Sequence, residues 1–438
     1  MKKILTGVLS LMISASALAG GLLTNTNQNA AFLRNPAQEG AIGIDALYSN
    51  PAGVAFLSEG FHLSINWQMA AQQRIMTTTS AAFAAGIANN GATTKEFKGK
   101  AFTPVMPSFH AAYVFNEKWS ASAAFTVTGG GGKLDFDNGL PMFEAMVGGP
   151  LALQGAQYSM EQNLTGKQYL FGLQLGGTYK VTDELSVFGG VRTVFASNAY
   201  EGTIKNIMLK SAATGGQLIP GAMVNPALAD YVLDCSQSTI GFTPIIGMDL
   251  NLGKLNFGMK YEFRTKLEYE NESENSANVD AAFADYKDGA KVRNDVPAIL
   301  TLGAEYSVLP SLRVAAGYTQ YFDTDVKCQG TTTNVSDNTW EASFGVEYDI
   351  NDKWLVSAGV RHTNYGFADN ELSDLNFNMD NYALGIGGAY KVNEKVTVNA
   401  GYMHSFYSDH KTPANAVGLA TIYERKNDTW GVGVDIKF

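Results

Sequence analysis

The chain has only two cysteines, Cys235 and Cys328, and only 12 prolines in 438 residues. So few cysteines exclude a small disulfide-stapled scaffold. So few prolines leave room for many unbroken strands, because proline removes a ladder donor wherever it falls. No stretch reaches the roughly 20 consecutive apolar residues that a membrane helix needs. The net charge is −10 and no basic stripe occurs, which argues against nucleic acid as a partner. The five histidines, His62, His110, His362, His404 and His410, are scattered without the spacing of metal ligands. Gly129-Gly130-Gly131-Gly132-Lys133 lacks the spacing, and the following Ser or Thr, of a phosphate loop. No Ser, His and Asp share a fixed spacing. No metal, no cofactor and no enzymatic activity are therefore expected. Acidic stretches at 268–274 and 369–380 have the chemistry to bind Ca²⁺ or to bridge lipopolysaccharide through divalent ions, but ordinary solvated loops share that composition.

What is present is a two-residue rhythm. In residues 430–438, WGVGVDIKF, the side chains of Trp430, Val432, Val434, Ile436 and Phe438 fall on one face, with Gly431, Gly433, Asp435 and Lys437 on the other. Such a strand, ending on an aromatic residue, is how outer-membrane barrels usually close. About fourteen strands are predicted, beginning near Phe61, Phe109, Trp119, Tyr169, Leu185, Ile245, Leu255, Ala298, Leu312, Trp340, Trp354, Tyr382, Val396 and Trp430. Their connections alternate between tips of two or three residues, such as Asn116-Glu117-Lys118 and Asn351-Asp352-Lys353, and long loops near 71–106, 130–166, 203–243, 270–295, 325–338, 366–380 and 408–428. Short periplasmic turns and long outer loops are the asymmetry of a bacterial barrel. Tyr113, Tyr348 and Tyr390 precede three of these turns, where an aromatic ring sits at the lipid headgroups.

Parity assigns the faces. On the seventh strand Leu255, Phe257, Met259, Tyr261 and Phe263 point to lipid, and Asn256, Gly258, Lys260, Glu262 and Arg264 point inward. Arg192, Arg313, Glu341, Glu347 and Arg361 also point inward. A charge on the lipid face would cost about 2–4 kcal/mol at the midplane, so a one-residue slip is penalised repeatedly.

The start of the chain reads as a secretory signal over 1–19: Lys2 and Lys3, an apolar stretch, and the small-x-small site Ala17-Leu18-Ala19. Residues 61–438 then form the barrel. Between them, 20–60 does not alternate and carries Asn-Pro-Ala twice, at Asn35-Pro36-Ala37 and Asn50-Pro51-Ala52, each favouring a turn. A segment folded back into the barrel as a hatch is expected.

Here the chain resembles a family. GIDALYSNPAGVAFL, residues 43–57, is similar to the hatch signature of the FadL/TodX (OmpP1) outer-membrane transporters for long-chain fatty acids and other hydrophobic compounds. The hatch length, the strand count and the terminal Phe438 agree. The earlier Asn-Pro-Ala departs from the single-motif form of the family. The resemblance implies passive uptake: capture of a hydrophobic ligand among the outer loops, passage into the barrel, and sideways exit past a kinked third strand. Only Asn50, Pro51 and Ala52 carry over by motif.

Other candidate residues come from chemistry. Met142, Phe143, Met146 and Leu151 of the second loop, with Leu218, Ile219, Met223, Leu228 and Tyr231 of the third, form apolar stretches that suit a binding groove. Arg192, Lys260, Arg264, Arg313 and Arg361 have the charge to hold a carboxylate in the lumen, or equally to pair with lumenal glutamates. A disulfide between Cys235 and Cys328 remains open. The expected partners are a fatty acid or other hydrophobic ligand, outer-membrane lipid and lipopolysaccharide, and the barrel-assembly machinery through the C-terminal strand, for a monomer. A general porin for small solutes and a surface-binding adhesive barrel are the alternatives.

Overall fold

The computed structural model describes residues 29–326, 336–369, 372–375 and 377–438. The signal segment and Cys328 lie outside the described residues. Fourteen antiparallel staves form one closed sheet. They are β1 (Gly60–Thr79), β2 (Thr94–Val114), β3 (Trp119–Phe136), β4 (Gln157–Lys180), β5 (Leu185–Lys210), β6 (Tyr231–Asn251), β7 (Leu255–Glu262, continued by Glu268–Ser273), β8 (Lys291–Arg293, continued by Ile299–Leu309), β9 (Leu312–Tyr321), β10 (Trp340–Asp349), β11 (Trp354–Asn364), β12 (Asn381–Lys391), β13 (Val396–Tyr407) and β14 (Ala420–Lys437). Closure comes from β1 and β14, paired without a break from His62 with Lys437 to Thr79 with Ala420. No described helix is long and apolar enough to cross a membrane.

The repeated Asn-x-Lys tips have a common cause. The side-chain oxygen of Asn116 accepts from the N–H groups of Lys118 and Trp119 at 2.9 and 3.0 Å, and Asn351 and Asn393 do the same two and three residues on. Just inside these turns, Trp119 packs on Tyr179 and Trp354 on Tyr390, both at 4.6 Å between ring centres. Towards the outer side a second belt runs Tyr318, Trp340, His362, Tyr382 across four neighbouring staves. These are the two interfacial girdles.

The staves are longer than the alternation predicts. The loops expected over 71–106, 130–166 and 203–243 shrink to 80–93, 137–156 and 211–230. The reason is an inverted pattern beyond the membrane. On the outer part of β2, Phe97, Gly99 and Ala101 turn inward while Glu96, Lys98 and Lys100 face water. Apolar-in and charged-out is the reverse of the lipid-crossing half. A bulge between β1 and β2, at Gln68 and Ala70, shifts the inward parity from even to odd. Arg264 is a second correction. β7 breaks after Glu262 and its inward parity changes, so Arg264 is half-exposed at the break and donates to the Asp325 carbonyl at 2.8 Å.

Residues 29–59 lie inside the barrel. Asn29 caps the short helix α1 (Ala30–Arg34) by accepting from Phe32 N–H at 2.7 Å. Asn35 ends it, and its oxygen takes the Ala37 N–H at 3.1 Å. Asn50 starts a short 3-10 helix, Pro51–Phe56, with proline at its first position. The two Asn-Pro pairs thus work at opposite ends of a turn. The wall holds this segment from several sides. Arg34 pairs with Glu347, Arg361 bonds Glu39 at 3.0 Å and the Pro36 carbonyl at 3.1 Å, and Asn256 donates to the Gly40 carbonyl at 2.8 Å. Lys260 reaches the Tyr48 carbonyl at 2.7 Å and Ser186 the Ala52 carbonyl at 2.8 Å. Two wall glycines allow the approach: a Cβ at Gly258 would overlap the Glu39 carbonyl, and one at Gly345 the Asn35 side chain.

Arg361 also bonds Glu341 at 2.7 Å, so one buried cation serves two buried carboxylates. Arg361→Ala strands Glu39 in the interior, a loss expected to be about 3–5 kcal/mol. Urea unfolding in detergent, read by heat-modifiable gel mobility, should show a lower midpoint and faster proteolysis of residues 29–59; an unchanged midpoint contradicts this role.

Candidate functional site

Three features stack along the barrel axis or its wall: an apolar chamber among the outer loops, the filled lumen, and an interrupted ladder.

The chamber is built round the helix α2 (Pro141–Leu153). Proline at its first position needs no backbone donor, and the Met142 N–H is capped by Asp374 at 2.8 Å. Glu144, buried in the first turn, draws in Lys95 (2.6 Å), Asn89 (2.8 Å), Tyr158 (3.2 Å) and Gln162 (3.3 Å). One carboxylate thereby ties α2 to three other parts of the outer end. Beside it lies a narrow apolar pocket lined by Met142, Phe143, Leu164, Tyr200, Ile204, Tyr231, Leu233, Val279, Phe283, Tyr286 and Leu375, with no charged side chain among them.

Of the predicted groove residues, Met142, Phe143 and Tyr231 line this cavity. Met146, Leu151 and Leu228 are buried in the same apolar cluster, and Ile219 packs against it. Leu218 and Met223 do not join: they are 45% and 79% exposed. The sequence reading missed the walls contributed by the outer halves of β4, β5 and β6 and by residues 279–286. Their strands were read as loops, and the short helix Ala277–Ala282 lies in a polar stretch.

In the lumen a second, small and more polar space lies between residues 29–59 and the wall, lined by Phe32, Glu39, Tyr48, Lys260, Glu262, Tyr321, Glu341 and Arg361 among others. The predicted lumenal cations are already matched. Arg192 holds Glu262 through both terminal nitrogens at 2.6 and 3.1 Å, and Lys260 reaches the same carboxylate at 2.7 Å. Arg313 bonds Asp349 at 2.7 Å and Glu347 at 3.4 Å. Arg264 lies 3.8 Å from Asp295. Of the pair offered for a disulfide, Cys235 is buried on β6.

The interrupted ladder lies between β2 and β3. Residues pair from Gly99 to Ala101 and again from Phe109 to Val114, with no ladder partner on β3 between them. Two prolines, Pro104 and Pro107, remove donors on the β2 side. On the β3 side Gly130 (φ +98°) and Gly132 (φ +77°) take a backbone that side chains rarely adopt. A Cβ at Gly132 would overlap Thr103, so β2 and β3 approach closely across the gap, while the Trp67 indole of β1 donates to the Pro104 carbonyl at 2.8 Å.

A closed β-barrel with its lumen filled by its own leading segment, and an apolar chamber outside, defines a plugged outer-membrane channel. The sequence matches the family of outer membrane protein transport proteins (OMPP1/FadL/TodX) over residues 10–438, and the chain belongs to that family. The fold is similar to that of a Pseudomonas aeruginosa FadL homologue, at 15% identity with a TM-score of 0.69, covering 95% of this chain and 100% of that one. It is similar also to the P. putida toluene transporter TodX (15%, TM-score 0.60, 91% and 95% covered) and the Ralstonia pickettii toluene transporter TbuX (16%, TM-score 0.59, 94% and 99% covered). Comparison with curated proteins gives no match.

Burial raises the Asp374 carboxyl from 3.8 to about 6, against the lowering effect of the Met142 N–H. Because the folded value lies above the unfolded one, its stabilisation is complete below pH about 4 and is lost as pH rises through 6. Proteolysis of the outer loops should therefore be slower at pH 4.5 than at pH 7.5 relative to a reference substrate. Asp374→Asn should remove that difference; a difference that persists would place its origin elsewhere.

Proposed function

We propose that this chain is a passive channel for hydrophobic small molecules, with long-chain fatty acids the leading candidate ligands. The observation that carries the reading is the uncharged chamber at the outer end above a lumen occupied by residues 29–59. A molecule that enters the chamber meets a hatch rather than an open pore. The weak place in the wall, between β2 and β3, is the natural exit towards the membrane. Diffusion down a gradient through such a path needs no ATP and no proton coupling. The named toluene transporters among the similar structures support a hydrophobic cargo. The filled lumen speaks against a general porin.

Restoring ladder donors tests the route. Pro104→Val with Pro107→Val should let β2 and β3 pair and should slow uptake of labelled oleate by cells about tenfold, equivalent to about 1.4 kcal/mol on the barrier. Oleate binding to the purified protein should be unchanged. Full uptake by this variant would sink the sideways exit, and a large steady conductance in planar bilayers would favour the porin instead.

A further inference from the structure

One buried acid in the barrel is served by amides alone. Asp249 is fully buried, two residues before the periplasmic end of β6 at Asn251. The Asn50 side chain, from the second Asn-Pro-Ala, donates to its Oδ2, and Asn256 of β7 donates to the same oxygen at 2.8 Å. The Asp249 Oδ1 has no hydrogen-bond partner. Among the described residues no cation pairs with Asp249, whereas Arg34, Arg192, Arg313 and Arg361 each hold a carboxylate. The charged groups of the surrounding elements are engaged elsewhere. Lys260 is taken by Glu262 and the Tyr48 carbonyl, and Glu39 by Arg361. Lys180 lies over the Phe56 ring at 5.1 Å, and Asp45 faces Arg34 and Asp435. Glu184 and Lys254, in the adjoining turns, are exposed to water.

A carboxylate taken wholly out of water is costly unless its charge is paired. A second orphan belongs to the same corner. The Asn256 Oδ1, on the amide already bonded to Asp249, is also buried without a donor. Two acceptor oxygens cannot satisfy one another. One proton on the acid serves both: it removes the charge and gives Asp249 an O–H to donate to Asn256. Acid and amide then close a ring of two hydrogen bonds. A buried carboxyl kept neutral can donate in this way.

The corner gathers the segment inside the barrel. Asn50 accepts from the Gly53 N–H at 3.3 Å and donates to the Ala41 carbonyl at 3.1 Å, and Asn256 donates to the Gly40 carbonyl at 2.8 Å. Gly258 leaves room for this, since a Cβ there would lie 2.9 Å from the Asn50 side chain. Residues 40–53 thus converge on one wall carboxyl.

We propose that Asp249 carries a proton while residues 29–59 are seated, and that this proton, shared with Asn256, is the catch that positions Asn50. This rests on the transport reading above, in which residues 29–59 close the lumen, and adds a control on it. Loss of the proton leaves a buried charge and two facing acceptors, so the seat loosens as pH rises. The proton belongs to the closed state and does not travel with the cargo. Asp249 is a positioning residue that acts through Asn50.

Hydrogen exchange of the purified full chain in non-ionic detergent at pH 6 and pH 9, corrected for intrinsic exchange rates, tests it. Wild-type amides of residues 40–53 should lose protection as pH rises, by up to about tenfold per pH unit, the limit for one proton. Asp249→Asn offers the same neutral shape, one acceptor and one donor, and should stay protected at both pH values. Asp249→Ala lacks both groups and should be less protected than the wild type at pH 6. Infrared difference spectra between the wild type and Asp249→Asn at pH 6 should show the carbonyl band of an un-ionised acid. A carboxylate band in its place, or loss of protection by Asp249→Asn at pH 6, would show that charge is required and would overturn the proton. An alanine variant as well protected as the wild type would overturn the catch. A pH response abolished by Ca²⁺ would assign the two oxygens to a cation instead. If wild-type residues 40–53 exchange freely at pH 6, the closing role itself falls and the proposal with it.

Discussion

Everything in this molecule depends on closure of the sheet along the β1–β14 seam. Backbone N–H and C=O groups have no water to turn to in hydrocarbon, so an open edge would leave several kcal/mol of unmet hydrogen bonding per group. The unbroken pairing from His62 with Lys437 to Thr79 with Ala420 removes that edge. Closure then divides the side chains. One parity must be apolar for lipid, and the other is released from that demand. The released face carries Arg192, Lys260, Glu262, Glu341, Glu347 and Arg361, and it is this polar interior that can hold a folded-back chain whose own backbone needs partners. A lumen that holds residues 29–59 thus follows from a closed wall with a polar lining, and small apolar clusters, Leu33 on Ala383 and Met403 and Leu47 and Val54 on Ala112 and Ala124, add to the hold.

The β2–β3 interruption is instructive for the same reason. A wall under so strong a constraint should pair everywhere. Where it does not, the sequence must have removed the means of pairing, and it has done so on both sides, with Pro104 and Pro107 on one strand and left-handed glycines on the other. Neither change alone would suffice: a proline-bearing strand still offers carbonyls, and a glycine-bearing strand still offers both groups. The combination, with Thr103 close against Gly132 across the gap, describes a wall that is shut without being sealed by a ladder.

Much of this was legible from residues alone, and the failures share one cause. Stave number, turn positions and the inward set Asn256, Gly258, Lys260, Glu262 follow from the two-residue rhythm, because lipid enforces it. The Asn-Pro pairs announced turns before the barrel. Beyond the membrane the enforcement ends: Phe97 points in and Lys98 points out, so the outer halves of β1, β2, β4, β5, β6 and β14 looked like loops. The chamber walls at Tyr200, Ile204 and Leu233 were lost with them. Arg264 was misplaced because a single break in β7 resets parity, which periodicity cannot foresee. Glu144 was hidden inside an apolar stretch whose acid has four partners far away in sequence. Arg74 and Arg425 were invisible as a pair because only closure makes neighbours of the first and last staves.

The distribution of charge separates two uses of a buried cation. Beside residues 29–59, each guanidinium meets carboxylates in close geometry, and Arg361 is shared between Glu39 from the leading segment and Glu341 from the wall. Removing one partner from such a set leaves an uncompensated charge, so the set resists disassembly and holds residues 29–59 in the lumen. At the level of Arg74 and Arg425, direct partners across the closing seam, the arrangement is reversed. Repulsion across the seam is tolerated in a structure that elsewhere matches its charges, and hydrogen-bond donors of Arg425 are left unused. The interior thus grades from charges matched in pairs near residues 29–59 to the facing Arg74 and Arg425 at the outer end.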